Sequence, residues 1–227
     1  MSNFNIVQCV PGDEAELARL HYSIFSQPPV YHVIYAGVPE EKIIEKYEKG
    51  FKEGIEGQSQ PSSTREATYL KVTDHITNQI AGYVVWVYLP KGYDADQDPQ
   101  IQASDMPVGS NLPVALELKR AARSSRTYHE DRKGPHYLVA LLGTNPNFER
   151  RGVASMLIRY MFDNADRKSI SCFVEASSKA QPLYKRHGFV DVNLMHVDLD
   201  DFEGGDGFGL QTWYAMLREP QPMKYGS

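Results

Sequence analysis

The segment HYLVALLGTNPNFERRGVASMLIRYMF, from His136 to Phe162, constrains the fold more than any other part of the chain. Its almost wholly apolar first part predicts a central strand, buried on both faces, over His136–Pro146. Apolar residues then recur at helical spacing. The first N–H groups of a helix lack intrahelical partners, and the helix dipole makes that end partly positive. With two arginines and a glycine (Arg150–Gly152) directly before the helix, the segment predicts a seat for phosphate.

The length and the net charge of the chain limit which class of phosphate-containing ligand can bind at this seat. The 227 residues with 41% apolar content are expected to form one α/β domain over residues 1–227. The 24 basic and 29 acidic side chains give a net charge of −5, which argues against an extended surface for nucleic acid. The phosphate site is therefore expected to be local, with no nucleic-acid partner.

Cysteines and targeting signals give further expectations. Cys9 and Cys172 lie in unrelated apolar stretches without a paired spacing, which predicts free core thiols rather than a zinc or redox site. The first residues show no signal-peptide pattern, and no run of about 18 apolar residues occurs. We therefore expect no membrane partner and, by default, a cytoplasmic location. The oligomeric state is not readable from the sequence.

Strand-like and helix-like segments alternate along the chain, which predicts a mixed central sheet of about six to seven strands flanked by helices. Residues 90–112 are rich in Asp, Gln, Pro and Gly and are expected to form a flexible insertion. The last two strands, on either side of the acidic stretch DDFEGGDG, predict a C-terminal β-hairpin. Strands are predicted at 4–10, 68–74, 79–89, 136–146 and 169–177, and helices after Asp13, at 39–55, at 113–124 and before Gly188.

The motifs LGTNPNFERRGVAS and PLYKRHGF, preceded by a β-α-α-β-β order, resemble the GCN5-related N-acetyltransferase (GNAT) superfamily. In that family a loop with the pattern Gln or Arg, two residues, Gly, any residue, Gly or Ala holds the pyrophosphate of acetyl-coenzyme A. The residues Arg150–Ala154 fit this loop, and Gly152 permits close approach of backbone to phosphate. Position 149 departs from the pattern, because Glu149 places a negative charge beside the anion seat.

The resemblance also implies roles for residues on either side of the loop. The strand end Leu142–Thr144 would hydrogen-bond the pantetheine arm, and Tyr184 in LYKRHGF would lie near the thioester sulfur. The implied cofactor-binding residues are Leu142, Gly143, Thr144, Glu149, Arg150, Arg151, Gly152, Val153, Ala154, Ser177 and Tyr184.

Acetyl transfer to an amine needs two proton transfers. A lysine-like amine with a pKa of about 10.4 is mostly protonated at neutral pH and must lose a proton, and the leaving thiolate, with a pKa of about 8.5, must gain one. A tyrosine hydroxyl with a pKa of about 10 can supply the second proton, so Tyr184 is the predicted general acid, the alternative being an aromatic packed on the sheet. The inward positions expected for a base are Leu138 and Ala140. Only His136 shares their face, so we assign to it the role of general base, acting directly or through a water molecule.

The segment SQPPVYHVIYAG lies where the family lines its acceptor pocket. Its Tyr31, His32 and Tyr35 are predicted to contact an acceptor with an apolar body, and Trp86 is a fourth candidate; core packing is the alternative for each. The spacing of the acidic stretch fails the EF-hand pattern, so no metal is expected. The resemblance places this hairpin beside the acceptor site, where Asp200, Asp201 and Glu203 would attract a cationic amine.

The resemblance implies an N-acetyltransferase that moves an acetyl group from acetyl-coenzyme A to a primary amine, with a small-molecule acceptor as the first interpretation. A protein or peptide amine is the second. A non-catalytic acyl-coenzyme A binding module stays open, because Glu149 breaks the loop pattern and no clear base is present. A nucleotide hydrolase is disfavoured, since no Gly-Lys-Ser/Thr follows the loop.

Overall fold

The computed structural model describes residues 3–58, 64–98, 100–127 and 134–222. Within them seven strands form one sheet in the order β1-β2-β3-β4-β5-β7-β6. The strands are β1 Phe4–Gln8, β2 Glu66–Asp74, β3 Ile80–Leu89, β4 His136–Thr144, β5 Ser171–Ser177, β6 Val190–Asp198 and β7 Leu210–Arg218. The helices are α1 Glu14–Phe25, α2 Pro29–Ile34, α3 Glu40–Gly57, α4 Leu112–Thr127, α5 Val153–Arg167 and α6 Gln181–Arg186.

The sheet is mixed, as the sequence predicts. β4 and β5 pair in parallel and are joined through α5, whereas the other neighbours pair antiparallel. The β2–β3 and β6–β7 hairpins are both present, so the predicted α/β fold with a C-terminal hairpin is confirmed.

Side chains divide between the two faces of the sheet because alternate strand residues point to opposite sides. Under α5, apolar residues of β3, β4, β5 and β7 pack against Leu157, Ile158 and Met161 of the helix. The opposite face carries α1 and α3 over β3, and α4 lies beside β6. A ligand that enters between β4 and β5 thus meets different surroundings on the two faces.

Local differences from the prediction have local causes. The segment expected only to join helices contains the short helix α2, which begins with Pro29, a residue favoured in a first helical turn. Asp13 does not cap α1, because its carboxylate accepts the Val10 N–H and contacts Lys71. The acidic stretch is a hairpin turn in which Asp200 Oδ1 accepts N–H groups at 2.8 and 3.0 Å.

The insertion includes two short 3₁₀ turns, at Ala95–Gln97 and Ala103–Asp105, while residue 99 lies outside the described part. Asp98 is buried and accepts a hydrogen bond from Tyr93. The predicted flexibility of 90–112 stays a prediction. Both cysteines are free and buried, and none of the described helices is long and apolar enough to cross a membrane.

Candidate active site

The central feature of the site is a gap between β4 and β5. The two strands pair only from His136 with Ser171 to Val139 with Val174. Beyond this point β5 continues along β7 to Ser177, while β4 continues along β3 to Thr144. The strands therefore separate, and the backbone of β4 beyond Val139 has no strand partner on the β5 side within the described residues. An extended ligand can hydrogen-bond to such a free edge.

A β-bulge lies at the apex of this gap. The register between β3 and β4 shifts so that Val85 pairs with Leu141 and Trp86 with Val139, which leaves Ala140 without a partner. Ala140 is exposed although it lies in a central strand. The sequence placed it inward beside Leu138, and this expectation is wrong because the extra residue breaks the strand alternation. The open position at Ala140 makes room next to the strand.

The predicted phosphate seat has the backbone geometry of an anion site. Arg150 and Gly152 have positive φ angles of 60° and 84°, and α5 begins at Val153. A Cβ on Gly152 would meet no atom within 4 Å, so open space lies beside it. The first N–H groups of α5, from Val153 onward, are those for which the helix itself provides no partner four residues earlier. This backbone geometry fits an anion such as a phosphate.

Charged side chains surround the seat. Arg150 and Arg151 are exposed, and the guanidinium carbon of Arg151 lies 4.8 Å from the ring centroid of Phe4. Glu149 Oε1 is 3.4 Å from Nζ of Lys179, which lies in the loop between β5 and α6. Sequence reasoning missed Lys179, because its proximity to Glu149 depends on the β4-α5-β5 crossover. The seat carries three cations and one carboxylate.

Two glycines allow close packing around the strand end that leads to the seat. A Cβ on Gly82 would lie 2.6 Å from Val153 Cγ1 and 2.7 Å from the Gly143 carbonyl oxygen. A Cβ on Gly143 would lie 2.8 Å from the Tyr83 ring. Because Gly82 has no room for a side chain, the first turn of α5 packs directly on β3, whereas Gly143 leaves room for Tyr83 and Ile24 on the opposite face. The predicted pantetheine-binding residues, Leu142 to Thr144, therefore lead straight into the seat.

Tyr184 lies in α6, directly after β5. It is 3% exposed and packs edge-on against Phe189, with ring centroids 5.2 Å apart. Burial raises the pKa of Tyr184, so the hydroxyl stays protonated at neutral pH. Ser177 Oγ accepts the N–H of Ala180 at 3.3 Å, which ties the end of β5 to the turn that leads into α6. The tyrosine is held rigidly beside the strand that forms one side of the gap.

His136 lies at the closed end of the paired region, four residues before Ala140. Four residues of strand span about 13 Å, so the structure does not bring His136 to the apex. Its Nδ1 is 3.2 Å from the Gly134 carbonyl oxygen, and burial lowers the pKa of the imidazole.

Glu175 lies next to the gap and was not singled out by the sequence. It is the first residue of β5 beyond the last pair with β4, and its side chain is 10% exposed. Arg126 of α4 donates to both of its oxygens, from Nε to Oε1 at 2.8 Å and from Nη2 to Oε2 at 3.0 Å. The sequence does contain a signal for it: a lone glutamate lies inside the apolar strand SCFVEAS, and a buried glutamate is almost always paired with another group.

The acceptor candidates separate into two groups. Tyr31 and Tyr35 of the α2 region are buried with ring centroids 4.7 Å apart, and His32 beside them is exposed. The Tyr31 hydroxyl is enclosed and has no hydrogen-bond partner among the described residues. Trp86 instead packs under α5, with its ring centroid 6.1 Å from that of Tyr160. The structure therefore does not bring Trp86 together with the tyrosines.

Comparisons with known proteins agree with this fold. Residues 119–191, which include the gap and the seat, match the family model described as an acetyltransferase (GNAT) domain. No match is found among curated protein sequences.

Solved structures share the fold over nearly the whole chain. An agmatine N-acetyltransferase mutant (S171A, apo form) aligns with a TM-score of 0.68 at 12% identity, covering 96% of this chain and 100% of that one. The polyamine N-acetyltransferase of Drosophila melanogaster aligns with a TM-score of 0.66 at 12% identity, covering 95% and 99%. Arylalkylamine N-acetyltransferase 2 from Aedes aegypti aligns with a TM-score of 0.64 at 12% identity, covering 97% and 100%. Residues 119–191 thus match a GNAT acetyltransferase domain, and the chain shares its fold with N-acetyltransferases of solved structure.

Proposed function

We propose that this acetyltransferase moves an acetyl group from acetyl-coenzyme A to a primary amine of a small molecule. The observation that carries the proposal is the gap between β4 and β5, which opens at Val139 and leads to the first N–H groups of α5. An extended pantetheine arm suits a free strand edge, and a pyrophosphate suits a helix start with open space at Gly152.

The donor would lie with its phosphates at Arg150 to Ala154 and its pantetheine along Leu142 to Thr144. The cations Arg150, Arg151 and Lys179 favour these phosphates, and Glu149 opposes them. This arrangement carries the thioester toward the apex, where Ala140 leaves room.

The acceptor would approach from the face opposite α5. Tyr31 and Tyr35 lie in an apolar cluster that includes Met195 and Val197 of β6, and they suit the apolar body of an acceptor. The aligned agmatine, polyamine and arylalkylamine enzymes act on small amines, as their names state. We therefore place a small-molecule amine ahead of a peptide amine.

The chemistry follows from the charges that must move. A primary ammonium loses one proton, and its nitrogen attacks the thioester carbonyl carbon. The C–S bond then breaks, the second N–H proton leaves, and the thiolate gains a proton. Tyr184, which is buried beside β5 and protonated at neutral pH, is the proposed donor to sulfur.

Thiol release from acetyl-coenzyme A tests the proposal. The acceptor panel contains arylalkylamines, agmatine, polyamines, a lysine peptide and a peptide with a free N-terminus, and mass spectrometry identifies acetylated products. We expect release with one class of small amine and none with the peptides. Release with peptides alone would replace the acceptor, and tight donor binding without any release would favour a non-catalytic binding module.

A further inference from the structure

Glu175 lies at the apex of the gap, on the face of the sheet opposite Tyr184. Phe173 and Glu175 are alternate residues of β5, so their side chains share a face. Phe173 packs with Leu138 in the cluster on the side away from α5. Tyr184 packs in the cluster beneath α5, together with Val174. A thioester at the apex would thus have Tyr184 on one side and Glu175 on the other.

The carboxylate of Glu175 is held in one orientation but keeps acceptor capacity. Arg126 uses one lone-pair direction on each oxygen, at 2.8 and 3.0 Å. An ionised carboxylate has about four acceptor sites, so about two stay free on Glu175. The side chains of Arg126 and Glu175 are 17% and 10% exposed, which limits competition from water.

Arg126 is itself held by the insertion. Its Nη1 lies 3.9 Å from Asp98 Oδ2, and its guanidinium carbon lies 5.6 Å from the Tyr93 ring centroid. Asp98 also accepts from Lys119 Nζ at 2.7 Å. The network of Glu175, Asp98, Arg126 and Lys119 contains two carboxylates and two cations, so its net charge is zero.

The other elements around Glu175 add little charge. Its partner on β7 is Ala215, and on β4 the titratable group of the same face is His136, whose pKa is lowered by burial and by Arg126. Among the described residues of β4, β5 and β7 that border the apex, Glu175 is the one carboxylate.

We propose that Glu175 binds the ammonium group of the acceptor, and that Arg126 is a positioning residue that aims the carboxylate. This inference rests on the proposed function. Charge-assisted hydrogen bonds from the ammonium would hold the nitrogen at the apex, next to the thioester carbon. The acceptor class is then an amine that is charged at neutral pH, rather than a weakly basic aromatic amine.

A selectivity measurement tests this role. Thiol release is measured at pH 7 with a charged alkylamine, the best acceptor of the panel, and with a weakly basic aniline. We expect Glu175→Gln to lower kcat/KM for the alkylamine by about tenfold or more, mainly through KM, and to change the aniline value by less than about twofold. The matched control is Glu117→Gln, which removes a carboxylate paired with Arg120 on the surface of α4 and should change neither value.

Equal losses with both acceptors, or no loss with either, would overturn the proposal. If Glu175→Gln fails to fold because Arg126 is left unpaired, the double variant Glu175→Gln/Arg126→Gln removes both charges and must show the same loss of selectivity. If the parent protein releases no thiol with any amine of the panel, the proposed function is overturned instead. The two failures are therefore distinguishable.

Discussion

Glu149 Oε1 lies 3.4 Å from Lys179 Nζ, and this contact joins the loop before α5 to the loop after β5. The two side chains are 49% and 89% exposed, so the ion pair is screened and weak. The pair nevertheless places a cation beside the carboxylate that departs from the GNAT loop pattern. Lys179 thus reduces the repulsion that Glu149 would exert on a bound phosphate.

Glu149→Gln should tighten acetyl-coenzyme A binding by between one- and about tenfold, because the change removes repulsion of less than about 1 kcal/mol and releases Lys179. The gain should be larger at low salt, where charges are screened less. Isothermal titration at two salt concentrations measures it, with Lys179→Gln as the opposite control, which should weaken binding. If Glu149→Gln weakens binding by more than about tenfold, the carboxylate organises the loop rather than opposing the phosphates.

Tyr184→Phe should lower kcat by about 10²-fold or more and leave acetyl-coenzyme A affinity within a few-fold, because only the proton donor is lost. The melting temperature should stay unchanged, since the ring still packs against Phe189. Tyr160→Phe is the matched control, because Tyr160 is 44% exposed on α5. An unchanged kcat in Tyr184→Phe would mean that Tyr184 only packs in the core and is not the proton donor.

Local patterns predicted most of the fold. The apolar run at β4, the helical spacing of α5 and the glycine before it were sufficient to predict the strand, the turn and the helix, while the anion seat stays a prediction. The motif before Gly188 likewise predicted the helix α6, while the role of Tyr184 stays a prediction. These features depend on residues that are close in sequence, where period and turn chemistry act directly.

The long-range contacts of the site could not be predicted in this way. Arg126 and Glu175 are 49 positions apart, and the sequence does not state that α4 packs next to β5. The bulge at Ala140 depends on the register between β3 and β4, which is set by the packing of both faces. The separation of Trp86 from Tyr31 follows from the face on which each one lies.

Tyr31→Phe should leave the free energy of unfolding unchanged or raise it by up to about 1 kcal/mol, because the enclosed hydroxyl has no partner among the described residues. If the hydroxyl instead serves the acceptor, KM for the amine should rise about three- to tenfold. Urea unfolding and steady-state kinetics measure the two effects. A loss of stability above about 1 kcal/mol would mean that the hydroxyl has a structural partner.

His21 should make the protein less stable as the pH falls below about 6.5. The ring is buried with Nδ1 2.6 Å from Tyr83 Oη, and burial lowers its pKa to about 3. Below pH 6.5 the unfolded chain therefore binds a proton at His21 that the folded chain does not bind. This lowers the free energy of unfolding by up to about 1.4 kcal/mol per pH unit.

Urea unfolding of the parent and of His21→Phe at pH 7, 6 and 5 isolates this contribution, because the other histidines titrate in both proteins. The parent should lose more stability than the variant between pH 6 and 5. Equal losses would show that His21 is accessible to protons in the folded state.

Every proposed step depends on acetyl-coenzyme A binding at the start of α5, and isothermal titration of the parent and of Gly152→Asp tests this most directly. The parent should bind one equivalent, and at about 100 times the dissociation constant the ligand should stabilise the fold by about 2.7 kcal/mol. Gly152→Asp should abolish binding by placing bulk and charge at the phosphates. Gly207→Asp is the matched control, since Gly207 has a φ of +83° in equally open space, and it should bind like the parent. No binding by the parent, or equal binding by Gly152→Asp, would contradict the assignment.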